Sequence, residues 1–200
     1  MSARGRETFR QVGDVSDFVD AVTGERLTRV LIGGGFASSE PRRLLTLLGS
    51  CVAVCLFDPV AGVGGMTHFM LPRGGEREPP ADDARFAADA LPWLEYSVVE
   101  LGARRERLRA KVFGGGAAMG MQNRIGDENI EFARQFLEGR AMPVVAEEVG
   151  KRVSRQIRFD TGTGRAFVRY VDAGDGQALL RREQAARSGA VAGRERLQET

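Results

Sequence analysis

Histidine occurs once in this chain, at His68, and cysteine only twice, at Cys51 and Cys55. A structural zinc site takes about four ligands, mostly Cys and His. One imidazole and two thiols on a single predicted strand offer no such framework, so no metal is expected. A disulfide is excluded as well. Four residues along an extended strand cover roughly 13 Å, against a Cα limit of roughly 7 Å for bridging. Two free thiols suit a reducing cytoplasm. The chain lacks any apolar run of about 18 residues, the length of a membrane-spanning helix, so no membrane insertion is expected. Its start, MSARGRETFR, is charged where a secretory signal needs an apolar core. A strong net charge is missing too. The formal value of +2 gives no reason to expect a nucleic-acid partner, which calls for a concentrated basic stripe. What remains, 42% apolar and 28% charged over 200 residues, is enough for one soluble domain with a real core.

The informative stretch runs from Leu48 to Pro72. Cys51 to Phe57 is almost wholly apolar, Val63 to Leu71 is mostly so, and Asp58-Pro59-Val60-Ala61-Gly62 between them has turn chemistry. With Phe57 opposite Gly62, counting back sets Cys51 opposite His68, where Cβ atoms lie roughly 4.5–5.5 Å apart. A slip of one residue would put the two groups on opposite faces. A free thiol has a pKa near 8.5 and is only a few per cent thiolate at neutral pH, roughly. A neighbouring imidazole takes the proton and later returns it to a leaving group. The small pair Gly49-Ser50 lets the backbone turn and a substrate approach, and the backbone N–H groups at Ser50 and Cys51 are candidates to face an oxyanion. Thr46, Thr67 or a backbone carbonyl could orient the imidazole. The plainer alternatives are a core cysteine, which Cys55 is expected to be, and a satisfied core histidine.

Residues 1–28 read as a polar extension with a short helix around Val15 to Val22. Arg29 to Ile32 reads as a strand before Gly33-Gly34-Gly35, and Leu44 to Leu48 as another. Ala84 to Leu101 has helical spacing, with Asp82 or Asp83 as N-cap and Pro92 predicting a kink or two short helices. Leu108 to Phe113 reads as a strand entering Gly114-Gly115-Gly116. These glycines, with Gly120 beyond, do not match the spacing of a nucleotide-binding loop, so no cofactor is expected; a close backbone approach beside Cys51 fits better. Asp127 is expected to cap a second helix carrying Ile130, Ala133, Phe136 and Leu137, with Gly139 ending it. Strands follow at Met142 to Glu147, Val153 to Phe159 and Ala166 to Val171, the last two joined by a turn at Asp160 to Gly164. The division expected is an extension over 1–28, one catalytic domain over 29–172, and a flexible arginine-bearing tail over 173–200.

The strings LGSCVAVCLFDP, VGGMTHFMLP, KVFGGGAAM, IGDEN, AEEVG and SRQIRFD, in that order between about Leu44 and Val171, resemble the chemoreceptor glutamine deamidases of the CheD family. The resemblance implies an α+β fold of stacked mixed β-sheets flanked by helices, similar to bacterial toxins that deamidate glutamine. It implies Cys51 as nucleophile, His68 as its acid–base partner, and a threonine shortly upstream, for which Thr46 is the nearest candidate. The activity implied is that of a cytoplasmic protein-glutamine glutaminase, acting through a thioester on the cytoplasmic helices of chemoreceptors without a cofactor. A CheC-type phosphatase is the other implied partner, and the alternative role is a non-catalytic adaptor. Where the family usually has paired glycines, this chain has Gly150-Lys151.

Overall fold

The computed structural model of the chain describes residues 7–21, 23–73, 84–116 and 124–171. Eleven strands and two α-helices follow one another among them. They are β1 (Phe9–Val12), β2 (Val15–Val19), β3 (Arg26–Val30), β4 (Gly34–Ser38), β5 (Arg43–Leu48), β6 (Val52–Asp58), β7 (Val63–Phe69), α1 (Ala87–Glu100), β8 (Arg109–Gly114), α2 (Arg124–Gly139), β9 (Val144–Val149), β10 (Ser154–Asp160) and β11 (Ala166–Val171). A six-stranded sheet has the order β1-β4-β7-β6-β8-β9, and a five-stranded sheet the order β11-β10-β5-β3-β2. Both are mixed: β8 runs parallel to β9 and β3 to β5, while the other pairs are antiparallel. This is the α+β build of stacked mixed sheets with helices.

Why the layers form is legible along β6 and β7, which are buried at every position. Strands with no polar face must be covered on both sides. Val52, Val54 and Leu56 pack with Leu91, Leu94 and Val98 of α1 and Ile130, Ala133 and Leu137 of α2. The intervening Ala53, Cys55 and Phe57 pack instead with Leu44, Leu48, Ile157 and Phe159 of the five-stranded sheet. The order is therefore helices, six-stranded sheet, five-stranded sheet.

Several elements depart from the sequence reading. The segment expected to hold a short helix at Val15 to Val22 supplies β2 instead, antiparallel to β3, while Phe9–Val12 pairs with β4. Each is the edge strand of its sheet. No position of either is fully buried, so neither carries the apolar face from which a two-residue period is read. The strand expected at Arg29 to Ile32 lies earlier, at Arg26–Val30. Pro92 neither divides nor ends α1, which is one continuous helix. Its place in the second turn forfeits one hydrogen bond, which the apolar contacts of the helix outweigh. The α1 N-cap is Phe86, and Asp82 and Asp83 lie outside the described residues. Asp127 sits within the first turn of α2, not at its cap, where a carboxylate favours the helix dipole. The β9 strand starts two residues later than expected. Gly120 and the arginine-bearing tail lie outside the described residues.

Asp58 locks the far end of the central hairpin. Its fully buried carboxylate accepts the N–H groups of Val60 (2.9 Å), Ala61 (3.1 Å) and Arg104 (2.9 Å) and is paired with Arg107 at 2.7 Å. Burial pushes the carboxyl up, but the Arg107 guanidinium and these N–H groups outweigh it and hold the group well below the ordinary carboxylate range. Replacing it removes the acceptor of three N–H groups and of a partly exposed guanidinium. Asp58→Ala is expected to lower unfolding free energy by about 1–3 kcal/mol in urea denaturation; no measurable loss would mean that solvent replaces these contacts.

Candidate active site

The hairpin closes one step later on each strand than its turn chemistry predicts. Asp58 pairs with Val63 and Phe57 with Gly64, so His68 faces Ala53 and not Cys51. The cause is Asp58 itself. Its side chain caps Val60 and Ala61 and its carbonyl accepts the Gly62 N–H at 3.0 Å, so it begins the turn and pairs with Val63 as the last rung of the ladder. The register differs by two residues, and an even offset preserves the face. Cys51 lies two residues before Ala53 and packs at the margin of the core between the sheets, the same side as His68's neighbour Met66. Cysteine and histidine are thus diagonal neighbours, which in a regular ladder means Cα atoms roughly 7–8 Å apart.

His68 is buried, and its ring is held from across the sandwich. Thr46 Oγ1 on β5 is 2.7 Å from the carbonyl oxygen of Val30 and 2.8 Å from His68 Nδ1. A hydroxyl has one proton, and the short distance to a carbonyl oxygen requires that proton there. Thr46 therefore accepts from Nδ1–H, which fixes the tautomer with the lone pair on Nε2. That atom is buried and has no hydrogen-bond partner among the described residues. The Val30 carbonyl is itself 3.5 Å from Nδ1. Thr67, the other candidate, pairs with Val54 and so points to the helix side, away from the ring.

The loop before the cysteine is held by its carbonyls. Gly116 N–H donates to Gly49 O at 2.7 Å, and Gly115 N–H to Cys51 O at 2.8 Å. Between them, Asn129 Nδ2 lies 3.4 Å from Ser50 O and 2.9 Å from Met70 O. The glycine run is what allows this approach. Gly114 has φ +109°, and a Cβ there would collide with the Cys51 carbonyl. Arg155 of β10, fully buried, reaches across the sandwich and donates to the carbonyls of Gly114 (2.8 Å), Glu148 (2.6 Å) and Gly150.

Burial governs the charge state of the pair. It pushes the Cys51 thiol up to about 11 and the His68 imidazolium down to about 4. The resting site is therefore a neutral thiol beside a neutral imidazole, not the enriched thiolate expected of a Cys–His neighbour. The thiol is not hydrogen-bonded to the ring at rest.

Comparison with known proteins places the chain in a family. The model for CheD chemotactic sensory transduction matches residues 70–170. A protein of Vibrio vulnificus strain YJ016, named as a probable chemoreceptor glutamine deamidase CheD, is 38% identical over 84% of this chain and 83% of its own. The chain belongs to the CheD family. A CheD of the same description from Anaeromyxobacter dehalogenans strain 2CP-C is 48% identical over 67% of this chain and 78% of its own; one from Caulobacter sp. strain K31 is 38% identical over 75% and 80%. The CheD family match begins just after His68, but an alignment over 84% of the chain includes Cys51 and His68 wherever it starts. A solved structure, the Bacillus licheniformis hypothetical protein YfiH, aligns at TM-score 0.36 and 17% identity over 56% of this chain and 49% of that one, too loosely to bear on the fold.

Of the CheD site residues expected from sequence, Thr46 and His68 are brought into contact, and Cys51 is set on the same face. Asn129 and Arg155 were not singled out, although both lie in the strings that carry the resemblance. A polar residue on the apolar stripe of α2 was the available sign of Asn129.

The neutral pair makes a measurable difference. Alkylation of Cys51 by iodoacetamide is expected to accelerate roughly tenfold per pH unit through neutrality toward the apparent pKa of about 11. Peptide mass spectra isolate the signal, because Cys55 is fully buried and its thiol is pushed up further still. A rate that is flat around neutral pH would reveal a thiolate–imidazolium pair instead.

Proposed function

We propose that the protein deamidates glutamine side chains on the cytoplasmic helices of chemoreceptors, with Cys51 as nucleophile. The observation that carries this reading is the Val30–Thr46–His68 chain, which leaves Nε2 unprotonated, without a partner among the described residues and on the cysteine's side of the hairpin. A histidine serving only the core would be expected to have both nitrogens satisfied.

The chemistry follows from the neutral resting state. Nε2 takes the thiol proton as sulfur bonds to the amide carbon, so thiolate forms only as it is consumed. The oxyanion is received by backbone N–H groups at Ser50 and Cys51. The imidazolium returns its proton to the departing nitrogen, the C–N bond breaks, and ammonia leaves a glutamyl thioester. Nε2 then takes a proton from water as the water oxygen attacks the thioester. The C–S bond breaks, the proton goes back to sulfur, and glutamate is the product. No external oxidant or cofactor enters the balance.

The likeness to glutamine-deamidating toxins belongs to the same proposal, supported by the two stacked sheets and the Cys–His pair at one end. So does a cytoplasmic location; no described helix is long and apolar enough to cross a membrane. A CheC-type phosphatase partner rests on family resemblance alone. The adaptor role would be favoured by the lack of a third residue; the 2.8 Å contact of Thr46 with His68 Nδ1 supports the catalytic reading instead.

Incubation with a receptor cytoplasmic fragment, followed by peptide mass spectrometry, tests the reading by scoring glutamine conversion to glutamate. Cys51→Ala is expected to abolish conversion, His68→Ala to slow it about 10²–10⁴-fold, and Thr46→Val to slow it about tenfold or more. An unperturbed histidine would gain its proton near pH 6.5. Because burial lowers this one to about 4, activity should persist below pH 6 and fail only as the pH drops toward that value. Undiminished conversion by folded Cys51→Ala would overturn the assignment.

A further inference from the structure

Asn129 is an expensive residue to place where it is. It lies on the inner stripe of α2 with Gly126, Ile130, Ala133 and Leu137, and its side chain is fully buried. Its Oδ1 has no hydrogen-bond partner among the described residues. An apolar side chain of similar volume would pack there without stranding an oxygen. What the amide supplies in return is a donor. Both near acceptors, Met70 O and Ser50 O, are carbonyl oxygens, so only the NH₂ end can face them.

Those two carbonyls belong to the two arms of the site. Met70 is two residues beyond His68, and the Ser50 carbonyl is part of the peptide plane that also contains the Cys51 N–H. In a trans peptide the carbonyl and the N–H point in opposite directions. A hand on the Ser50 oxygen therefore aims the Cys51 N–H away from α2, toward the side where the cysteine side chain lies. The neighbouring carbonyls, Gly49 O and Cys51 O, are held by the amides of Gly116 and Gly115. Three successive oxygens are thus engaged by the glycine run and α2, which favours successive N–H groups facing the other way as a concave donor site.

We infer that Asn129 is a positioning residue that orients and polarises the Ser50–Cys51 peptide so that its N–H can receive the oxyanion. This rests on the reading of Cys51 as the nucleophile. The 3.4 Å contact to Ser50 O is long at rest. As negative charge collects at the Cys51 N–H, that peptide polarises, its carbonyl becomes a better acceptor and the Asn129 bond strengthens. The help is therefore given in the transition state and not in substrate binding.

The test is steady-state deamidation of a receptor cytoplasmic fragment by full-length Asn129→Leu, which keeps the branched outline of the side chain and removes the donor, with Asn129→Ser as a second variant if the larger leucine prevents folding. The kcat is expected to fall about 10- to 100-fold, less than the roughly 10²–10³ for deleting an oxyanion donor itself. KM and the iodoacetamide alkylation rate of Cys51 are expected to stay within about twofold. Wild-type kcat in a folded variant would overturn the inference. So would a loss of kcat matched by equal loss of alkylation or a large rise in KM, the signature of a displaced loop. Cys51→Ala in the same assay separates the two failures. If it still converts glutamine, or if wild type converts none, the nucleophile reading falls and the inference with it. If Cys51→Ala is inactive while the Asn129 variants turn over normally, the inference alone falls.

Discussion

The polar chain from His68 Nδ1 through the Thr46 hydroxyl to the Val30 carbonyl joins the two sheets across the largely apolar layer between them. Its members come from three strands, two in the five-stranded sheet and one in the six-stranded sheet. An imidazole N–H without a partner in such a layer would cost about 1–3 kcal/mol, so the chain constrains how the sheets stack. The constraint acts on chemistry as well. By claiming Nδ1–H, Thr46 leaves the basic nitrogen at Nε2, and by engaging the ring it sets which way that nitrogen can face. Fold and protonation state are decided by the same hydroxyl.

A second constraint operates on the loop that ends at Cys51. Gly114 must be glycine for the β8 end to approach the Cys51 carbonyl, and Arg155 must be long enough to reach that same β8 end from the opposite sheet. Burial presses the guanidinium toward its neutral form. Its carbonyl acceptors at Gly114, Glu148 and Gly150 are what keep a charged group tolerable there. The strand ends, the glycine run and the cysteine loop are thus tied to one buried cation, and the site end of the sandwich has little freedom to shift.

How much of this the sequence disclosed depends on whether a feature is local. The central hairpin was legible because its two apolar runs and its turn residues are contiguous. Its register was misjudged by an even number, because the capping of Val60 and Ala61 by Asp58 is invisible in a pattern of apolar residues. Parity survived, and with it the conclusion that Cys51 and His68 share a face. Choosing between Thr46 and Thr67 needed the identity of the strand lying across the sandwich, which no local pattern carries. The edge strands β1 and β2 escape for a different reason: neither has a fully buried position, so their sequence carries no apolar face to read. Lys151 shows the opposite case. It holds φ +63° beside Gly150 at +67°, a left-handed pair that two glycines would adopt without strain, and its ammonium is paired with Glu148 at 2.6 Å. The departure from the family's glycine pair is thereby accommodated in the backbone, not avoided.

The energetics of the neutral pair set what the rest of the site has to do. With burial raising the thiol to about 11 and lowering the imidazole to about 4, proton transfer between the resting groups is strongly uphill and a free thiolate–imidazolium pair is disfavoured. Attack by preformed thiolate would carry that whole penalty into the barrier. Transfer coupled to carbon–sulfur bond formation does not, because the negative charge moves from sulfur to the amide oxygen as it appears. In the proposed reaction the oxyanion then becomes the group that needs stabilising, and the burden passes from the imidazole to the backbone N–H groups of the loop. On the proposed reading that loop has to be held in place, and its three carbonyls are engaged by the Gly115 and Gly116 amides and by Asn129.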